Sequence, residues 1–201
     1  MRLVRLMRYG AWAFAIALTL IVAYLTVSYY QRDAAPPGLA TASIGGPYRL
    51  HGTNGEVVTE ASFPGKAKAM FFGFTHCPDI CPTTLFEAGN WLKALGPDAD
   101  KVQMLYITVD PERDTVEQMT AYLTAFDPRI IGLSGSREEV DPVIREFRIY
   151  ARKVPLEGDD YTMDHSAAVL LFRPDGSFAG TVDYTDPPET AIAKLKRLVG
   201  A

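Results

Sequence analysis

The chain has 201 residues, 48% of them hydrophobic and 22% charged, with 20 Lys and Arg against 24 Asp and Glu. That composition suits one globular domain with room for an appended segment, and it excludes a disordered or low-complexity chain. The first 32 residues hold four arginines and no acid, so the rest sets 16 basic residues against 24 acids, a charge of −8. A body that acidic, without a basic stripe interleaved with aromatics, gives no footing for nucleic-acid binding.

Residues 9–31 carry no charge, and their centre, 11–27, is almost wholly apolar. As a helix this stretch is roughly 35 Å long, enough to cross a hydrocarbon core of about 30 Å. Arg2, Arg5 and Arg8 precede it, and Asp33 follows the closing Arg32. The positive-inside rule then keeps the N-terminus in the cytoplasm and sends residues 33–201 across the membrane, with Tyr24, Tyr29 and Tyr30 toward the outer interface. A cleaved secretory signal is the alternative. Its apolar core is usually about 7–15 residues, and the cleavage-like Ala40-Thr41-Ala42 lies far beyond the apolar run here. The N-terminus lacks a longer Arg- and Ser-rich presequence, which points to a single-pass protein of a bacterial inner membrane with its C-terminal domain in the periplasm. The mitochondrial inner membrane is the second choice. The expected division is 1–32 as cytoplasmic N-terminus and transmembrane anchor, 33–47 as linker and 48–201 as the folded domain. The linker is read from Pro36-Pro37-Gly38 and Gly45-Gly46-Pro47.

Within the domain, residues 48–51 and 57–59 flank Asn54-Gly55 and predict an N-terminal hairpin. Residues 67–74 form a short apolar run, a buried strand. Residues 82–95 have helical spacing, with Leu85, Ala88, Leu92 and Leu95 on one side. A strand over 102–109, a helix over 116–126, a short strand over 130–133 and a helix over 138–147 follow. Residues 149–164 fit no element and read as a loop insertion. Residues 167–172 and 177–184 surround Pro174-Asp175-Gly176, a second hairpin, and 188–199 close the chain as a helix. Strands alternating with helices, then a hairpin and a helix, make an α/β thioredoxin-like fold with a central mixed sheet, preceded by one transmembrane helix.

The only two cysteines, Cys77 and Cys81, stand in Gly73-Phe74-Thr75-His76-Cys77-Pro78-Asp79-Ile80-Cys81-Pro82, between a buried strand and a helix. Pro82 suits a first helical turn, and the positive end of the helix favours thiolate over thiol. Cysteines four apart on a helical turn have Cα atoms roughly 6 Å apart, within disulfide reach. The same spacing lets both sulfurs face one small ion. A stabilising disulfide is the plain alternative, though it closes a very short loop and stabilises little. Two thiolates are soft ligands and favour Cu(I), whereas a closed zinc site takes four protein ligands. A third ligand has three sources. His51 lies in the first hairpin as a surface residue, and His76 points away from Cys77 if the strand continues. His165 precedes a core strand, in the loop that such a fold sets beside the cysteine turn, where a mere loop residue is as good a reading. Met70, Met104 and Met163 read as packing residues. Asp79 is given no ligand role. In Asp110-Pro111-Glu112-Arg113-Asp114-Thr115, Asp114 reads as the cap of the following helix.

The stretch 73–82 resembles the hallmark of the Sco/SenC family, copper chaperones of cytochrome c oxidase assembly. Val109-Asp110-Pro111-Glu112-Arg113-Asp114-Thr115 is similar to a second family motif, and Asp164-His165-Ser166 to a third. The resemblance runs from about Tyr48 to the C-terminus and implies that Cys77 and Cys81 supply thiolates to copper and His165 an imidazole nitrogen. It extends to Cu(II), which imidazole also suits. It further implies a role in maturing the binuclear copper site of oxidase subunit II, by metal donation, by thiol reduction through a redox-active Cys77–Cys81 pair, or both. The partners so implied are oxidase subunit II, another copper chaperone or thiol reductant, and the inner membrane. The rival functions are a thiol–disulfide oxidoreductase, a peroxidase with Arg113 or Arg152 near the sulfur, and a copper or redox sensor. The three residues between the cysteines set the chain apart from the Cys-x-x-Cys oxidoreductases.

Overall fold

A computed structural model describes residues 12, 16–24 and 44–200. The chain divides into two compact units, Met1–Ala42 and Ser43–Ala201. In the first, residues 16–24 are helical with exposed side chains. Among the described residues no helix is long and apolar enough to cross a membrane; most of the expected anchor over 9–31 lies outside them.

In the second unit the elements follow as β1 (Arg49–Gly52), β2 (Val57–Thr59), β3 (Ala67–Gly73), α1 (Ile80–Leu95), β4 (Val102–Thr108), α2 (Val116–Leu123), β5 (Ile130–Ser134), α3 (Arg137–Glu146), β6 (Ala151–Pro155), β7 (Tyr161–His165), β8 (Val169–Phe172), β9 (Phe178–Val182) and α4 (Pro188–Leu198). Seven strands form one sheet in the order β2-β1-β5-β4-β3-β8-β9. The central three are parallel. The outer strands β1, β8 and β9 run antiparallel to their neighbours. This is a thioredoxin-like α/β fold with a central mixed sheet.

Every residue of β3 and of β4 is buried, as expected of central strands covered on both faces, whose sequences are continuous apolar runs rather than alternations. Helix α1 packs against α4, α2 against β5 and α3 against β1. The first hairpin turns at Asn54-Gly55. Gly55 takes a φ of 82°, open to glycine at no steric cost, and Asn54 Oδ1 accepts the Glu56 N–H at 3.2 Å. Helix α3 opens with a capping box between Ser136 and Glu139.

Two expectations are corrected. Residues 149–164 are not a structureless insertion: β6 and β7 pair antiparallel, Ala151 with His165 through Pro155 with Tyr161, as a separate two-stranded ribbon. Most of the ribbon's side chains are not buried, so its sequence lacks the apolar alternation that marks a half-buried strand. The cap of α2 is Thr115, whose side chain accepts the Gln118 N–H at 3.2 Å; Asp114 is turned into the interior, with consequences described next.

Candidate metal centre

The C-terminal end of β3 and the start of α1 shape the cysteine turn. Cys77 N–H bonds to Phe74 O at 3.3 Å, and Val109 N–H to Gly73 O at 2.8 Å, which ties the turn to the end of β4. A helix start leaves N–H groups without partners. Asp79, in the cap position, contributes no side-chain bond. The Cys81 N–H instead meets Cys77 Sγ at 3.4 Å, so the sulfur stands where an N-cap oxygen normally would. That N–H favours negative charge on the sulfur.

Cys81 is buried and Cys77 is half-buried; both are free thiols. Cys81 Sγ lies 3.6 Å from His165 Nε2. His165 Nδ1 is 2.8 Å from Ser166 O. A carbonyl oxygen only accepts, so Nδ1 carries the hydrogen and Nε2 presents its lone pair to the sulfurs. The edge of Phe74 packs against the imidazole at 5.6 Å between ring centres. The ligand atoms of Cys77, Cys81 and His165 all lie within 4.8 Å of one another. Two soft sulfurs and one imidazole nitrogen converging on a single point form a donor set that suits copper.

The two thiols differ in acidity. A hydrogen bond with the Cys81 side chain holds the Cys77 thiol well below the ordinary range, against the effect of burial. The same bond, with deeper burial, pushes Cys81 the other way. Cys77 is therefore the more acidic and more accessible sulfur, with Cys81 buried behind it.

His51 and His76 stay outside the cluster. The His51 side chain is exposed and 4.0 Å from Glu139. His76 is likewise exposed, its Nδ1 3.1 Å from Thr75 Oγ1. Met70, Met104 and Met163 are packed in the core. Neither arginine weighed for a peroxidase, Arg113 or Arg152, makes a hydrogen bond or ion pair to a cysteine among the described residues. Arg113 donates to Asp110 at 2.5 Å and to Tyr161 O at 2.9 Å, and Arg152 lies exposed on β6.

The Asp110–Thr115 stretch, read from sequence as a turn and cap, supports the centre from both sides. Asp114 is fully buried. It accepts Thr75 N–H, Thr75 Oγ1–H at 2.5 Å and Thr108 Oγ1–H at 2.7 Å, binding the approach to Cys77 to β4. Asp110, also fully buried, accepts the Tyr161 hydroxyl at 2.8 Å as well as Arg113. The Arg113 guanidinium lies 3.8 Å over the Tyr161 ring. Tyr161 opens β7, the strand that ends at His165, so this buried pair holds the histidine's ribbon on the body. Sequence reasoning missed Tyr161. The one available signal was the density of ionisable residues in the 110–114 motif, more than a turn needs.

Asp114→Ala is expected to lower the stability of the reduced protein by roughly 2–4 kcal/mol, because it strands the buried Thr108 hydroxyl and both donors of the half-buried Thr75 at once. Denaturant melts of variant and parent check this; a difference under about 1 kcal/mol would mean that the network is not a tether.

Residues 37–200 match the family model described as SCO1/SenC. A mitochondrial protein of Arabidopsis thaliana, SCO1 homolog 1, is 42% identical over 143 residues, which is 71% of this chain and 43% of that protein's length. The chain thus spans less than half of that relative. The structure of Bradyrhizobium japonicum ScoI with copper bound is similar at 51% identity and a TM-score of 0.73, covering 78% of this chain and 99% of that one. Yeast Sco1 with copper bound is similar at 36% identity and a TM-score of 0.72, covering 79% of this chain and 90% of that one.

Proposed function

The chain belongs to the SCO1/SenC family, and from that membership we propose that it is a copper chaperone of cytochrome c oxidase assembly, holding Cu(I) with Cys77, Cys81 and His165. The observation that carries this reading is the convergence of two sulfurs and an imidazole nitrogen within 4.8 Å. The similar proteins whose structures contain copper support it. Cys77 and Cys81 act as thiolates, and His165 ligates through Nε2 while Ser166 O fixes its tautomer. The half-buried Cys77 is the side from which an acceptor takes the metal. Cu(II) is accommodated by the same set when the imidazole is engaged.

The acceptor is oxidase subunit II, whose binuclear copper site this protein matures. A second reading, thiol reduction of that site, is favoured by one observation: the half-buried Cys77 sulfur receives the Cys81 N–H at the start of α1, with the Cys81 thiol buried behind it. Cys77 attacks the acceptor disulfide, Cys81 resolves the mixed disulfide, and two electrons and two protons pass to the acceptor. Another copper chaperone or thiol reductant recharges the protein afterward. Residues 1–32 anchor it in a bacterial inner membrane, residues 33–47 tether it, and residues 48–201 work in the periplasm.

The test is to mix the copper-loaded reduced chain with reduced, copper-free subunit II. Copper is expected to move and the absorption of the binuclear site to appear. Mixing the copper-free reduced chain with oxidised subunit II measures the second reading through the thiols gained. If neither copper nor electrons move, the proposed function is wrong.

A further inference from the structure

Tyr106 lies in β4, completely buried, and its hydroxyl makes no hydrogen bond of normal geometry among the described residues, though it interacts with the Cys81 side chain. Buried hydroxyls are rarely left so, because desolvation is uncompensated. The ring is fixed: it stacks on Phe71 at 5.7 Å and on Tyr122 at 6.2 Å between centres. The hydroxyl therefore points where β4 aims it.

It is aimed at the cysteine site. Tyr106 pairs with Phe71 in the β3–β4 register, and Gly73 is two residues further along β3, on the same face. A Cβ placed on Gly73 would lie 2.8 Å from Cys81 Sγ and 2.9 Å from Tyr106 Oη. The sulfur and the phenol thus converge on the spot that the missing side chain leaves open. A thiol is a weak acceptor. A thiolate is a strong one, and a charge-assisted bond is roughly twice as strong as a neutral one.

We propose that Tyr106 is a positioning residue for copper, its hydroxyl donating a hydrogen bond to Cys81 Sγ once that sulfur is the metal-bound thiolate. This rests on the reading of Cys77, Cys81 and His165 as the copper centre. On loading, the Cys81 S–H bond breaks, the S–Cu bond forms, and the proton leaves to solvent. The phenol keeps its own proton, since burial disfavours the phenolate. The hydroxyl's weak contact with the Cys81 thiol in the metal-free protein becomes a charge-assisted bond in the loaded protein.

The consequence is a pair of opposite effects that a simple packing role would not give. Tyr106→Phe keeps the ring and removes the hydroxyl. The reduced metal-free chain is then expected to melt at the same temperature or higher. Its Cu(I) affinity at neutral pH, measured against a chromogenic chelator, should fall about tenfold, the loss of one hydrogen bond to a charged group. The sulfur-to-copper charge-transfer band of the Cu(II) form should move to lower energy, because the thiolate keeps more of its electron density. Tyr48→Phe is the control. Its hydroxyl is buried without a partner, but its ring packs edge-on against Phe147, and its removal should change neither affinity nor band. An unshifted band with unchanged affinity in Tyr106→Phe overturns this inference, as does an equal loss in Tyr48→Phe. A parent chain that binds no Cu(I) overturns the copper centre itself.

Discussion

Cys81→Ser and Cys77→Ser are each expected to abolish stable copper binding in the reduced protein. Serine replaces a soft, ionisable sulfur with a hard hydroxyl that stays protonated at any working pH, and Cu(I) selects soft donors. What remains is one thiolate and one imidazole. The loss should exceed the roughly 10–100-fold typical of removing an outer hydrogen-bond partner of a metal ligand. The two variants fail for different local reasons. Cys81 is fully buried at 3.6 Å from His165 Nε2, so its loss takes out the inner wall of the site. Cys77 Sγ also receives the Cys81 N–H at the start of α1, so its loss additionally frees a helix-end donor. His165→Ala should behave differently: two sulfurs retain part of the Cu(I) affinity, while the Cu(II) form disappears. Copper content after equilibration with a competing chelator checks all three. Full occupancy in either cysteine variant would remove these sulfurs from the centre.

Oxidation to the Cys77–Cys81 disulfide is expected to expel copper completely. Thiolate is both the ligand and the nucleophile of disulfide exchange, and one sulfur pair cannot serve both at once. The pair is built to close. The two sulfurs lie within 4.8 Å of each other, and four residues of helical turn set Cα atoms roughly 6 Å apart, inside the disulfide range. Cys77, held toward thiolate, makes the first attack and Cys81 resolves it. Loaded protein should conversely resist alkylation at both cysteines. The check is to oxidise the loaded chain with a mild disulfide, desalt it, and count copper and free thiols together. Stoichiometric copper on a chain with no free thiol would contradict the shared-sulfur account and point to other ligands.

Local signals in the sequence were enough to read the local parts of this structure. Asn54-Gly55 foretold the hairpin because its left-handed glycine is a property of two adjacent residues. The apolar runs at 67–73 and 102–108 foretold the buried central strands. Contacts that cross the chain were not readable. Asp114 looked like a cap because Thr115 beside it is one; the Thr75 it serves is 39 residues away. The β6–β7 ribbon was hidden by Arg152 and Lys153, which interrupt any apolar pattern. Its hold on the body comes from Arg113 and Asp110, about which the 151–165 sequence says nothing. The same applies to the site. Cys77 and Cys81 announce themselves by spacing, but the contact between Cys81 and His165 spans 84 residues. Periodicity alone gave His165 no advantage over an ordinary loop histidine.

The central claim is that the two sulfurs and the His165 imidazole hold one copper ion. X-ray absorption at the copper edge of the reduced, copper-loaded protein tests it most directly. The account predicts one copper per chain, in the Cu(I) state, with two sulfur scatterers and one imidazole nitrogen. The nitrogen should vanish in His165→Ala while sulfur scattering persists. A spectrum of nitrogen and oxygen scatterers alone, with both cysteines still free to alkylation, would contradict it.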